Sequence, residues 1–141
     1  MKRSKVFTTA LLLSITAISF NCSPDQDLKL STKETLVRNG WAVDYYYQQQ
    51  DITSEFGNYR LIFNTAGTIF LRKNNESVSG NWNRTTDVNQ KEIVGININT
   101  SNPSLNKLND SWELISQTST TMTFGNSQDP VASVLRIRIQ Q

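Results

Sequence analysis

NYRLIFNTAGTIFLRKNNESVSGNWN, residues 58–83, carries two turn signals and one apolar rhythm that fix the same strand register. Thr65-Ala66-Gly67 reads as a three-residue hairpin loop with Gly67 in the left-handed conformation such loops need, which sets Asn64 opposite Thr68. Phe63 then faces Ile69, and Leu61 faces Leu71. Asn74-Asn75 reads as a two-residue loop, because asparagine tolerates a positive φ. That loop sets Lys73 opposite Glu76, Leu71 opposite Val78 and Ile69 opposite Gly80. Strand side chains alternate, so one face becomes Tyr59, Leu61, Phe63, Ile69, Leu71, Val78 and Trp82. The other face is polar except for Ile62 and Phe70, which pair on the outside.

The flanking chain repeats the pattern. Gly40 to Tyr47 sets Trp41, Val43, Tyr45 and Tyr47 against Ala42, Asp44 and Tyr46, as a half-buried strand should. After the polar run Gln48 to Gly57 come strands at about Asn58–Asn64, Thr68–Lys73 and Glu76–Asn83. Four more follow, at about Lys91–Asn99, Ser111–Gln117, Thr120–Gly125 and Ser133–Gln140. Their inward faces are Val94/Ile96/Ile98, Trp112/Leu114, Met122/Phe124 and Leu135/Ile137/Ile139. Eight short antiparallel strands on hairpin-length connections predict an all-β fold, an up-and-down barrel, with a β-sandwich as the alternative if the sheet splits. Closure is favoured because it leaves no unpaired edge beside Ile62 and Phe70. Ser31-Thr32-Lys33-Glu34 fits a capping box, so a short helix to about Val37 should precede the barrel, with Leu30, Leu36 and Val37 covering Ile62 and Phe70 or the closed end.

The 141 residues divide into a leader, a tether and one domain. Residues 1–21 read as a secretory signal, with Lys2, Arg3 and Lys5 ahead of an apolar run from Val6 to Phe20. Removing it lowers fourteen basic residues to eleven against twelve acidic ones, a net charge of about minus one. That balance argues against nucleic acid as a partner and against a strongly basic membrane surface. Cys22, the one cysteine, stands directly after the apolar run and resembles the lipobox cysteine of bacterial lipoproteins, which is acylated and becomes the mature N-terminus. Ser19-Phe20-Asn21 departs from the usual Leu-small-small triplet, and cleavage after Ser19 is the competing reading. Residues 22–30 form the tether, and Ser23 after the cysteine resembles the pattern of outer-membrane lipoproteins. Acyl chains at Cys22 would hold the protein on a membrane.

Several chemistries are excluded. The sequence contains no histidine, which removes histidine triads, histidine bases and histidine metal sites, and Cys22 at the terminus is no nucleophile within a domain. Asp44, Asp51, Glu55, Glu76, Asp87, Glu92, Asp110, Glu113 and Asp129 fall on loops or outward strand positions, with no pair spaced as a glycosidase requires. No glycine-rich phosphate loop is present. Asn75-Glu76-Ser77, Asn83-Arg84-Thr85 and Asn99-Thr100-Ser101 match a glycosylation sequon by chance in a bacterial reading. No cofactor is expected, and no enzymatic activity.

Gly40-Trp41, Leu61-x-Phe63 with Ala66-Gly67-Thr68, Gly80-Asn81-Trp82 and Ser111-Trp112-Glu113-Leu114 before Met122-Thr123-Phe124 resemble the lipocalin-like domain of many Bacteroidetes lipoproteins. The resemblance spans about Leu36 to the end of the chain. It implies an eight-stranded lipocalin-like barrel over 31–141 on an envelope lipoprotein.

The two longest connections, Gln48 to Gly57 and Thr100 to Asp110, share one end of such a barrel, which makes that end the expected mouth. Tyr45, Tyr47, Tyr59, Trp112 and Lys73 should face inward there. Aromatic walls with one cation suit a small apolar or amphipathic ligand bearing an acidic group. The alternative is that these side chains fill the barrel and the long loops contact a partner protein.

Overall fold

The computed structural model describes residues 30–140. The expected leader, Cys22 and most of the expected tether lie outside the described residues. Nine strands form one antiparallel sheet: β1 (Gly40–Gln48), β2 (Gln50–Asp51), β3 (Arg60–Phe63), β4 (Thr68–Lys73), β5 (Glu76–Thr86), β6 (Glu92–Ile98), β7 (Asp110–Gln117), β8 (Thr121–Asn126) and β9 (Ser133–Ile139). β2 is a two-residue extension beside the end of β1. The other eight close into a barrel, because β1 pairs with β9 from Trp41↔Ile139 to Gln48↔Ser133. Every strand of that closed sheet lies within the described residues, so residues 30–140 form a self-contained fold.

The opening stretch has the expected register. Phe63 pairs with Ile69, Leu61 with Leu71, Lys73 with Glu76, Leu71 with Val78 and Ile69 with Gly80. Gly67 has φ +85, and its carbonyl accepts the Trp82 amide. Of the two turn asparagines, Asn74 takes the positive φ. Leu61, Phe63, Ile69, Leu71 and Trp82 are buried in the core, and Ile62 lies opposite Phe70 outside.

Helix α1 (Thr32–Arg38) plugs one end of the barrel. Its capping box is complete: Ser31 Oγ accepts from the Glu34 amide and Glu34 Oε2 accepts from the Ser31 amide. Leu36 is fully buried there, Thr32 donates to Glu92, and the Gln117 amide nitrogen donates to Thr35 Oγ1 (2.8 Å) and the Leu30 carbonyl (3.1 Å). Trp41 and Trp82 sit at this end, and their indole N–H groups donate to the carbonyls of Leu36 and Asn64.

Two β-bulges break the alternation. In β1 the register shifts between Val43 and Tyr45, so Asp44 is the extra residue. Val43 pairs with inward Ile137, Tyr45 with outward Arg136, and Tyr46 with inward Leu135. The expected inward positions of Tyr45 and Tyr47 are therefore corrected: a bulge adds one residue and reverses every later side chain. In β7 the shift at Ile115 leaves that side chain exposed and turns Gln117 inward, which is how its amide reaches α1.

Candidate functional site

The expected mouth is closed. Between β2 and β3 a 3-10 turn (Thr53–Phe56) drops Ile52 and Phe56 into the barrel, and between β6 and β7 helix α2 (Pro103–Asn106) does the same with Leu105 and Leu108. Local chemistry fixes both segments. Asp51 Oδ1 accepts from the Thr53 amide (2.9 Å) and from Thr53 Oγ1 (2.6 Å), while that hydroxyl oxygen accepts from the Tyr46 amide. Asn102 caps α2 by accepting from the Ser104 and Leu105 amides, and Pro103 occupies the first helical position, where its missing N–H costs nothing.

The plug is fastened to the barrel from below. Tyr46 Oη donates to the Lys107 carbonyl (2.7 Å), and Trp112 Nε1 donates to the Leu108 carbonyl (3.0 Å). The Tyr46 ring lies 5.0 Å from Phe56 and 5.7 Å, edge-on, from Trp112, a spacing at which aromatic pairs attract. Lys107 and Glu55 join the two plug segments by an ion pair of 2.8 Å.

Of the five side chains expected to line a pocket, the structure gathers three here. Trp112 and Tyr59 are buried, and Lys73 stands at the rim with its ammonium 5.0 Å from the Tyr59 ring centroid, an attractive cation–π distance. Tyr59 Oη reaches Glu76 Oε2 at 3.4 Å. Burial, then the Glu76 charge, pushes the Tyr59 phenol above its ordinary value. Tyr45 and Tyr47 are on the outer wall, where the Arg136 guanidinium lies 5.7 Å from the Tyr45 ring. The side chains that sequence reasoning missed are Tyr46, Ile52, Phe56, Leu105 and Leu108. Asn102-Pro103 followed by leucines three apart was the available signal for α2.

All three indole nitrogens and both buried phenols have acceptors, and no buried side-chain N or O lacks a partner among the described residues. The carboxylates are engaged too. Glu113, on the outer wall of β7, is only 8% exposed and pairs with Lys91 at 2.9 Å, so it is more enclosed than its outward position suggested. Glu92 pairs with Arg84, and Asp44 with Arg136 and Arg138.

Burial of Tyr46, with Asp110 and Glu55 as lesser causes, pushes its phenol up to about 12 from an ordinary 10. A raised folded-state pKa means stability that is fully present below pH 10 and drains as pH rises through 12, because the unfolded chain ionises first. Two units correspond to roughly 3 kcal/mol. Urea unfolding should therefore weaken between pH 10 and 12, and Tyr46→Phe should flatten that slope. An unchanged slope would remove Tyr46 as its source.

The fold has a solved counterpart. A crystal structure of a DUF4847 family protein from Bacteroides vulgatus superposes with a TM-score of 0.55 at 14% sequence identity, covering 79% of this chain and 100% of that one. At that identity the likeness carries the barrel architecture alone. No protein-family model and no curated protein matches the sequence.

Proposed function

We propose that this protein is a non-enzymatic, membrane-tethered interaction module, a filled eight-stranded barrel that works through its outer surface in a bacterial cell envelope. The closed mouth is the observation that carries this reading: Ile52, Phe56, Leu105 and Leu108 occupy the place where a ligand would enter, above Tyr59 and Trp112. A carrier of small amphipathic molecules would have to expel those four side chains first. At about 1.5–3 kcal/mol each, their exposure opposes opening by many times the thermal energy. The leader, Cys22 and the lipocalin-like motifs support the envelope location and the acyl tether. The absence of histidine from the sequence and the engagement of the buried carboxylates support a role without catalysis.

Native mass spectrometry of the full chain isolated from its own host tests both halves. The expected spectrum shows a chain beginning at Cys22 with acyl mass added and no non-covalent companion. A retained small molecule would restore the carrier reading, and an unmodified Cys22 would remove the tether.

A further inference from the structure

Charge is unevenly distributed over the outer wall. Of the six arginines among the described residues, four project from the run of neighbouring strands β9–β1–β3–β4: Arg136 and Arg138 on β9, Arg60 on β3 and Arg72 on β4. All four are exposed, between buried neighbours such as Leu61, Leu71 and Ile137. The register aligns three of them. Arg138 lies opposite Ala42 and Arg60 opposite Arg72, and Trp41 opposite Leu61 brings Ala42 beside Arg60. Three strand spacings make that row about 14 Å long.

The row is kept cationic at a cost. Like charges directly opposite each other on neighbouring strands are destabilising, and neither Arg60 nor Arg72 has a carboxylate partner among the described residues. Asp44, shared by Arg136 and Arg138, is the one carboxylate among the outward side chains of β9, β1, β3 and β4. Elsewhere Arg84, Lys91 and Lys107 are each matched by an acid. Acidic and basic side chains balance over the described residues as a whole, yet one wall carries an excess of about three positive charges.

The wall is also shaped for contact. Arg60 lies flat over Gly40, where a Cβ would come within 2.1 Å of its Nε, so the bare glycine keeps the guanidinium against the strand. β1 and β3 pair only at Gly40 and Trp41. Beside that seam is a recess of about 300 Å³ lined by Ala42, Asn58, Tyr59, Arg138 and Gln140. Half-buried apolar and aromatic groups stand between the cations: Ile62 opposite Phe70, Arg72 at 5.6 Å from the Phe70 ring, and Tyr45 under Arg136.

We propose that the β9–β1–β3–β4 wall is a docking surface for the phosphate headgroups of an anionic lipid bilayer, with Arg60, Arg72 and Arg138 against the phosphates. Arginine forks match phosphate oxygens, and amphipathic rings settle at headgroup depth. That mixture of cations with Phe70, Ile62 and Tyr45 favours a membrane over an acidic protein. The assignment rests on the reading above that the outer wall, not the interior, does the binding.

The test uses the chain from Ser23, without leader or acyl group, and vesicles of phosphatidylcholine alone or with about one-third phosphatidylglycerol. Binding is expected to the anionic vesicles only and to fall with salt. Each basic side chain at such a surface is worth about fivefold in partitioning, so Arg60→Gln with Arg72→Gln should lower it about 30-fold. Lys91→Gln with Lys107→Gln removes the same charge elsewhere and should leave it within about twofold. The arginine variant should melt no lower than the parent, since it relieves a like-charge pair. Equal binding to neutral vesicles, no binding to anionic ones, or an equal loss in the lysine variant would overturn the proposal. So would capture of a polyglutamate peptide without vesicle binding. A small molecule in the native mass spectrum bears on the filled interior alone, so the two readings fail separately.

Discussion

Tyr46→Ala is expected to cost about 3–5 kcal/mol, while Tyr45→Ala and Tyr47→Ala each cost less than about 1 kcal/mol. Three identical residues in a row thus differ through one bulge. Tyr46 is 1% exposed, touches Phe56 and Trp112, and holds the plug through the Lys107 carbonyl. Its truncation leaves a ring-sized cavity, an unpaired carbonyl and a loosened α2 together. Tyr45 and Tyr47 are half-buried on the outer wall and lose only surface contacts. Equilibrium urea unfolding of the three variants measures the contrast. A Tyr45→Ala or Tyr47→Ala cost as large as that of Tyr46→Ala would mean that the bulge at Asp44 is misplaced. Because Tyr46 and Trp112 touch, a double-mutant cycle should also return a coupling of about 1 kcal/mol.

The second large effect is at Gly80. A Cβ there would lie 2.2 Å from the Asn97 carbonyl oxygen and 2.6 Å from the Ile98 Cα, both backbone atoms of β6. No side chain can swing away to make room, so β5 and β6 must separate there. Glycine in a strand interior often marks such a close approach of another backbone. Gly80→Ala is expected to cost about 3 kcal/mol or more, which lowers the melting temperature by roughly 10–15 °C. Gly57, whose Cβ would meet only the Ser54 carbonyl at 3.3 Å, is the comparison, and Gly57→Ala should stay within about 1 kcal/mol. A Gly80→Ala protein as stable as the Gly57→Ala one would contradict the close approach.

The barrel was legible because its turns are written in residues with few conformational alternatives. Gly67 and Asn74 take the positive φ that their loops demand, and once those two positions are set, every pair from Leu61 to Gly80 follows. The plugging of the far end by α1 was legible for a similar reason, since a capping box is a local hydrogen-bond pattern. The mouth was not legible. Trp41 to Tyr47 alternates on paper without a flaw, and Tyr45-Tyr46-Tyr47 gives no hydrophobic contrast by which a shift of one could be seen. The bulge is favoured by a tertiary partner: displacing Asp44 brings its carboxylate to Arg136 and Arg138, some ninety residues away in the chain. Ile52, Phe56, Leu105 and Leu108 were hidden among polar neighbours, and single apolar residues in loops are common enough on surfaces to pass unnoticed. Of the candidate site, Tyr59, Lys73 and Trp112 were correctly assigned to one end of the barrel. What stands above them follows only from the folded loops.

The pairing of β1 also bears on when the fold can form. β3 and the short β2 each offer β1 two residue pairs, and its long pairing is with β9, about ninety residues downstream. Until β9 has been synthesised, the sheet has two raw edges, and the Asp44 bulge that turns Tyr46 inward has no arginine to hold it. Loop closure over that distance is slow by topology. The delay keeps an emerging chain pliable, and the same contact that completes the barrel sets its plug.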